Sequence, residues 1–116
     1  MVKISNRDAR LYVEQRKPFQ GSNMYAKWYC PTTAESVESE GWYVVYSFGD
    51  HFPMYVWAEG VWFENEDKFS RTTSKHMGQC RPPRTTVLLS TAWMKKLATL
   101  GYRGIAKQRI LTGEPA

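Results

Sequence analysis

The chain has 116 residues, a length typical of a single domain, with 42% hydrophobic residues, 23% charged residues and a net charge of +5. This composition excludes a disordered chain, and no apolar run reaches the roughly 18 residues of a membrane span. The N-terminal residues lack the apolar stretch of a secretion signal, so we expect a cytoplasmic protein. We expect one domain over residues 1–111 and a frayed tail over residues 112–116.

The N-terminal part of the chain predicts two short strands separated by a turn. Residues 11–13 and 24–29 carry the apolar and aromatic side chains that favour strands. Between them, residues 17–23 include proline, glycine and asparagine and are typical of a turn. Residues 31–41 are polar and predict an exposed loop or a short helical turn.

The middle of the chain predicts an antiparallel β-meander, because runs of β-branched and aromatic residues alternate with turn residues. Pro53 is tolerated near the beginning of its strand. Glu59 and Gly60 form a two-residue hairpin connection. The four strands are expected at residues 42–48, 52–58, 61–64 and 69–72, with a turn at 49–51.

Aromatic side chains occupy both alternating sets of the first strand of this meander. Trp42, Tyr46 and Phe48 share one face, and Tyr43 and Val45 share the other. A sheet with one face in water alternates apolar and polar residues more cleanly. Two interpretations are open: the C-terminal helix and the N-terminal segment cover the second face, or that face is exposed and binds a partner.

The C-terminal third begins with a predicted short helix over residues 75–79. Thr73 or Ser74 would cap this helix, and Pro82 and Pro83 would stop it.

A strand over residues 85–89 is expected next, followed by a helix over residues 91–100 that Ser90 caps and Gly101 ends. The apolar stripe of this helix is Trp93, Leu97 and Leu100. The predicted fold class is α+β, an antiparallel meander of about four strands packed by a C-terminal helix.

Charge is distributed unevenly along the chain. Residues 41–70 carry a net charge of −4 and ten of the 17 aromatic residues, whereas residues 71–116 carry nine basic groups and one acidic group. The aromatic and basic sections are therefore successive, which weakens the simplest scheme in which bases stack on aromatic rings along a basic groove. The excess of cations in the last section favours a surface for a polyanion.

The segment 71–76 combines hydroxyls, cations and an imidazole at the predicted start of a helix. Backbone N–H groups and hydroxyl donors at such a position suit a phosphate group. The segment lacks the glycine-rich loop of nucleotide hydrolases, so it does not predict nucleotide hydrolysis. The alternative interpretation is a capped and solvated connection.

His51 and His76 are the two histidines of the chain, and with Lys75 they supply the residue types of a metal-independent ribonuclease. Cys30 and Cys80 could add two ligands to make a four-ligand metal site with these histidines. The cysteines lack the close pairing of structural zinc sites. We therefore expect free thiols, no metal and no cofactor.

Three motifs carry a resemblance to a known family. They are YSFGDHFP at residues 46–53, WFENEDKFS at residues 62–70 and TTSKH at residues 72–76. Together they resemble a family of small accessory proteins of tailed bacteriophages that has no established activity. The resemblance covers about residues 42–82 and implies a phage-encoded protein acting in the cytoplasm of an infected bacterium. Such proteins commonly bind nucleic acid or block a host protein.

These observations predict a protein that binds DNA or RNA without catalysing a reaction on it. The alternative is an inhibitor or adaptor that docks on a host protein, such as a defence protein, through an aromatic sheet face. A nuclease that uses His51, His76 and Lys75 is a lesser alternative. The residues expected to bind nucleic acid are Arg71, Thr73, Ser74, Lys75, Arg81, Arg84, Lys95, Lys96, Trp57 and Trp62. The same cationic set continues with Arg103, Lys107 and Arg109.

Overall fold

A mixed six-stranded sheet lies at the centre of the computed structural model, which describes residues 2–29, 41–48, 52–58, 60–67, 71–82, 84 and 87–99, with the backbone alone at 71–73. The strands are β1 (Phe19–Gln20), β2 (Met24–Tyr29), β3 (Trp42–Ser47), β4 (Phe52–Ala58), β5 (Val61–Asn65) and β6 (Val87–Leu89). The helices are a 3₁₀ turn (Asn6–Asp8), α1 (Ala9–Glu14), α2 (Arg71–Cys80) and α3, which covers residues 91–99.

The strands lie in the sheet in the order in which they occur in the chain. Strands β1 to β5 are antiparallel neighbours, and β6 pairs parallel to β5 after the α2 connection. The predicted α+β class and the packing of the C-terminal helix on the sheet are confirmed. The predicted number of strands is too low, because the N-terminal hairpin β1–β2 and the parallel strand β6 join the meander.

The N-terminal segment 11–13 is helical, so the strand predicted there is wrong. Ala9 and Val13 are both fully buried and stand four residues apart, which is the spacing of one helix face. Arg16 ends the helix with a left-handed backbone, at φ 53°. The amides of Arg16 and Lys17 bond back to the carbonyls of Val13 and Tyr12, which is the Schellman arrangement. The apolar run at 11–13 therefore belongs to a helix. A run this short does not distinguish a helix from a strand.

The fourth strand predicted over residues 69–72 is also wrong where the structure describes it. Residues 71 and 72 belong to α2, which begins at Arg71 and continues to Cys80. The short helix predicted over 75–79 is the second half of this longer one. The predictions that lie outside the described residues are the loop at 31–40, the turn at 49–51, residues 85–86, Pro83, Leu100, Gly101 and the tail at 112–116.

Helices cover both faces of the sheet, which decides between the two interpretations of the aromatic strands. On one face, Tyr43 and Val45 of β3 pack with residues of α1 and α2. On the other face, Trp42, Val44 and Tyr46 pack with Met94, Leu97 and Ala98 of α3. Every residue of β3 is buried as a result.

The described part of the chain holds no helix long and apolar enough to cross a membrane.

The helix α3 begins as the sequence predicts. The Ser90 hydroxyl accepts from the Trp93 amide at 3.4 Å, and the Ser90 carbonyl accepts from the Met94 amide at 2.8 Å. The inward stripe differs slightly from the predicted one, because Met94 and Ala98 join Leu97 in the core while Trp93 is half-buried.

A β-bulge in the centre of the sheet accommodates Pro53. The register between β3 and β4 shifts between Val45 and Tyr46, so that Tyr46 faces Pro53 and Val45 faces Tyr55. Proline lacks the N–H that a central strand needs, and bulges are among the few places where a sheet accepts it. The carbonyl of Pro53 accepts a hydrogen bond from the Asn65 side chain at 3.0 Å.

Asn65 joins the sheet to the start of α3. Its side-chain amide is 2% exposed and donates to Pro53 on β4 and to the Thr91 hydroxyl at the first turn of α3. Its side-chain oxygen accepts from the backbone amide of Asp67. The Asp67 carboxylate in turn accepts from the backbone amide of Thr91 at 2.8 Å. The hydrogen bonds from the Thr91 backbone and side chain lower the pKa of Asp67, and the backbone bond satisfies an N–H group at the helix terminus.

We expect Asn65→Ala to lower the free energy of unfolding by about 2–3 kcal/mol, because it leaves buried hydrogen-bonding groups without partners. Urea denaturation followed by tryptophan fluorescence measures this change. Asn6→Ala is the matched control, since the Asn6 amide also bridges distant chain segments by bonding Ser22 at both backbone atoms. That amide is accessible to water, so its loss is expected to cost about 1 kcal/mol or less. Equal losses in the two variants would contradict the proposed importance of Asn65.

Candidate functional site

The predicted cationic residues that the structure describes do not form one surface. Lys75 lies on α2, whereas Lys95 and Lys96 lie on α3. The two helices pack on opposite faces of the sheet, so these lysines are separated by the core. Arg81, just after α2, forms an ion pair with Glu64 at 3.1 Å, and Arg84 is exposed in the following connection.

Several predicted residues lie outside the part of the chain that the structure describes. These are Cys30, His51, Arg103, Lys107 and Arg109, together with the side chains of Arg71 and Thr73.

The predicted phosphate site at the start of α2 is altered by the position of the helix. Because α2 begins at Arg71, Ser74 and Lys75 lie within the helix and not at its cap. Both side chains are exposed. Their backbone amides therefore lie beyond the first amides of the helix, which are the ones that such a site offers to an anion.

His76 is a buried residue of the α2 packing surface. Its ring is 4% exposed, and its Nδ1 atom lies 2.8 Å from the Ser47 hydroxyl. The ring of Phe48 lies beside it, with centroids 5.4 Å apart, because Phe48 turns toward α2 with a left-handed backbone at φ 57°. Burial, and to a lesser extent the charge of Lys75, hold the pKa of His76 below its ordinary value.

Cys80 is equally enclosed. The thiol is fully buried and donates to the sulfur of Met24 at 3.4 Å, and burial raises its pKa to about 12. A thiol held in this protonated form is a poor nucleophile and a poor metal ligand. Within the described residues, no group of three or more histidine, cysteine or acidic side chains is placed to hold a metal ion.

The two tryptophans predicted to stack on bases are placed differently. Trp62 is 7% exposed and packs against Tyr43 in the core, so the prediction that it stacks on a base does not fit its position. Trp57 is half-buried, and the guanidinium of Arg16 lies 4.6 Å from its ring centre. Trp28 packs edge-on against Trp57 and donates its indole N–H to the Arg16 carbonyl.

An open pocket of about 610 Å³ lies between α3 and the strands β2, β3 and β4. Its lining residues come from four elements, β2, β3, β4 and α3. Their spacing in the sequence matches the repeat of a strand or of a helix. Lys27 and Tyr29 are two residues apart on β2 and so share a face, whereas Ala98 and Thr99 follow Lys95 on α3 by three and four residues. The described lining residues are Lys27, Tyr29, Tyr46, Pro53, Lys95, Ala98 and Thr99.

The pocket combines cations with aromatic and hydroxyl groups. The ammonium group of Lys27 lies 4.9 Å from the ring centre of Tyr29 and 5.9 Å from that of Tyr25. The hydroxyls of Tyr29 and Tyr46 lie 2.8 Å apart. Among the described residues, no acidic side chain lines the pocket. The arrangement therefore suits an anion that also carries apolar or aromatic surface.

A second cation lies over an aromatic ring on the neighbouring surface of α3. The ammonium group of Lys96 is 4.7 Å from the ring centre of the half-buried Trp93. Lys27 and Lys95 line the pocket, and Lys96 follows Lys95 on α3. We call the region that holds these three lysines the α3 surface.

Reasoning from the sequence found Lys95 and Lys96 but missed Lys27, Tyr29 and Tyr46. Lys27 lies outside the basic C-terminal section, so the charge distribution along the chain does not indicate it. The available signal was the alternation of Tyr25, Lys27 and Tyr29 on one face of the predicted second strand.

No protein-family model, curated protein or solved structure matches this chain. The resemblance to phage accessory proteins therefore stays a prediction. The geometry of the α3 surface is the observation that bears on function.

The pH dependence of stability provides a test of the environment of His76. Because the pKa of the folded His76 lies below the ordinary value of 6.5, the unfolded chain takes up a proton first as the pH falls. We expect the stability present above about pH 6.5 to decline as the pH falls toward the pKa of the folded state. Urea midpoints measured from about pH 5 to about pH 8 follow this decline.

His76→Asn is expected to lose this part of the pH dependence, because its amide does not titrate and keeps a group that can bond Ser47. His51→Asn is the control that shows how much the other histidine contributes. An unchanged pH dependence in His76→Asn would contradict the assignment to His76.

Proposed function

We propose that the protein binds nucleic acid through the α3 surface, without catalysing a reaction on it. The observation that carries this proposal is the open pocket beside α3, where Lys27 and Lys95 stand next to tyrosine rings and no described acidic side chain is present. Nucleic-acid binding without sequence readout needs cations for the phosphates and aromatic faces for the bases.

The packing of α3 supports the proposal because it brings the basic and aromatic sections of the sequence together. Along the chain, these sections are successive. In space, Lys95 of the basic section lines the same pocket as Tyr46 of the aromatic section and as Lys27 and Tyr29 of β2. Lys96, the next residue on α3, lies over the ring of Trp93. Cations and rings are therefore interleaved on one surface, as single-strand binding requires.

The environment of the three lysines is also suited to binding phosphate. Lys95 and Lys96 are exposed, and Lys27 is half-buried over its tyrosine rings. The only ion pair among the described residues joins Arg81 and Glu64, so these lysines do not have to break a salt bridge in order to contact a phosphate. A cation–π contact is weak enough, at about 0.5–1 kcal/mol in exposed positions, to be exchanged for a charge-assisted bond.

The two alternatives receive less support from the described residues. An adaptor that docks through an aromatic sheet face lacks that face, because helices cover both sides of the sheet. A nuclease would need His76 to reach a substrate, and the ring is buried with Nδ1 beside Ser47.

A cytoplasmic location belongs to the same proposal. The buried thiol of Cys80 is free, as is usual for cysteines in a reducing compartment. Residence in a phage-infected bacterium would place the protein beside both host and phage nucleic acids.

The proposal predicts salt-sensitive binding that depends on the lysines of the α3 surface. Fluorescence anisotropy with labelled single-stranded and double-stranded DNA and RNA, at about 50 mM and about 200 mM salt, measures the affinity and its salt dependence. We expect Lys27→Ala and Lys95→Ala each to weaken binding and to reduce the log–log salt slope by about 0.7 on a single strand.

Lys17→Ala is the matched control, because Lys17 is an exposed lysine that follows α1, away from the α3 surface. Its variant is expected to keep the wild-type affinity and salt slope. Binding that is absent at low salt, or that Lys17→Ala weakens as much as Lys95→Ala, would contradict the proposal. A gel of the recovered oligonucleotides shows whether any was cleaved, which would instead support the nuclease.

A further inference from the structure

The pocket beside α3 is larger than contact with a phosphate backbone requires. Its volume of about 610 Å³ lies inside the range of roughly 300–1,000 Å³ that is typical of sites for small organic ligands. A phosphate group alone would occupy a small part of this space. The remaining volume can hold an organic group attached to the phosphate.

The walls of the pocket indicate the shape of the organic group that the pocket can hold. Tyr46 and Pro53 are buried strand residues that provide a rigid floor, and the half-buried ring of Tyr29, whose hydroxyl lies 2.8 Å from that of Tyr46, provides a flat side wall. Tyr29 is itself held in place, since it stacks on Trp42 with an interplanar angle of 11°. A rigid floor and a flat wall favour a planar ring system over a flexible chain.

The polar groups indicate the charge of the occupant. Lys27 and Lys95 come from opposite sides of the pocket, one from the sheet and one from α3. Two ammonium groups without a described acidic partner match the charge of a phosphate monoester. The Thr99 hydroxyl donates to the Lys95 carbonyl at 2.9 Å, so its oxygen can still accept a hydrogen bond from a ligand amino group.

We propose that this pocket binds a single nucleotide unit, with the phosphate between Lys27 and Lys95 and the base in the cavity against Tyr29, Tyr46 and Pro53. The unit is either a free nucleoside monophosphate or an unpaired nucleotide of a strand. A paired base cannot enter such a cavity without leaving its stack, so the pocket selects single strands over duplexes. The strand form of this inference rests on the proposed function, whereas the free-nucleotide form does not.

The test measures binding of the four common nucleoside monophosphates, using isothermal titration calorimetry. The corresponding nucleosides and inorganic phosphate are the probes that lack one half of the ligand. We expect saturable binding of at least one monophosphate, with its nucleoside and inorganic phosphate weaker by about tenfold or more, because each of them loses one set of contacts.

Lys27→Ala and Lys95→Ala are each expected to weaken monophosphate binding by about tenfold. Lys17→Ala keeps the overall charge of these variants and is expected to bind like the wild type. Lys95→Gln is a second variant at an exposed helix position, which removes the charge but keeps most of the side chain. It keeps the inference testable if Lys27→Ala disturbs the sheet. Circular dichroism and the thermal midpoint confirm that each variant is folded.

Competition separates the two sources of the ligand. If a monophosphate displaces a labelled single-stranded oligonucleotide, the pocket receives a nucleotide of the strand. If a monophosphate binds and oligonucleotides do not, the pocket is a free-nucleotide site and the proposed function fails. If oligonucleotides bind but no monophosphate does, or if Lys95→Ala and Lys95→Gln leave monophosphate binding unchanged, the pocket inference is overturned while the proposed function stands.

Discussion

The pocket depends on the attachment of α3 to the sheet at both ends of the helix. At its start, the amide of Thr91 donates to Asp67, and the Thr91 hydroxyl bonds Asn65 at the end of β5. Near its end, the indole N–H of Trp42 on β3 donates to the carbonyl of Ala98 at 2.6 Å. A helix of this length has little stability of its own, so these contacts and its apolar stripe fix where Lys95 and Thr99 stand.

Burial of the sheet on both faces explains why so small a chain contains so many aromatic residues. A sheet between two layers of helices needs large side chains on both alternating sets of each central strand. Tyrosines that cross into these layers retain a polar partner: Tyr43 donates to the Lys17 carbonyl and Tyr55 to the Met77 carbonyl. Burial raises the pKa of both hydroxyls, so they remain donors over the whole physiological range. The many aromatic residues therefore mainly fill the core, and some of them also line the α3 surface.

The sequence was sufficient to predict local elements with a strong periodic or capping signal. The strand at Trp42, the hairpin at Gly60 with its left-handed φ of 75°, and the Ser90 cap of α3 all follow from residue types at fixed spacing. It was not sufficient at 11–13, because a run of three apolar residues fits the period of a helix and that of a strand equally well. It was also not sufficient where an element depends on a distant partner, as β6 does on β5. Lys27 was missed for the second reason, because its neighbours in the pocket come from residues far along the chain.

The fold also determines which acidic side chains of the middle section lie near basic groups. Glu64, from the acidic section, pairs with Arg81 beside α2, and Asp67 is engaged by the backbone of Thr91 at the start of α3. Two of the carboxylates that could neutralise the basic section are thus committed away from the pocket. Lys27 and Lys95 are left with aromatic and hydroxyl neighbours among the described residues. Lys95, from the basic section, and Lys27, from β2, then favour an anionic ligand in the pocket between the sheet and α3.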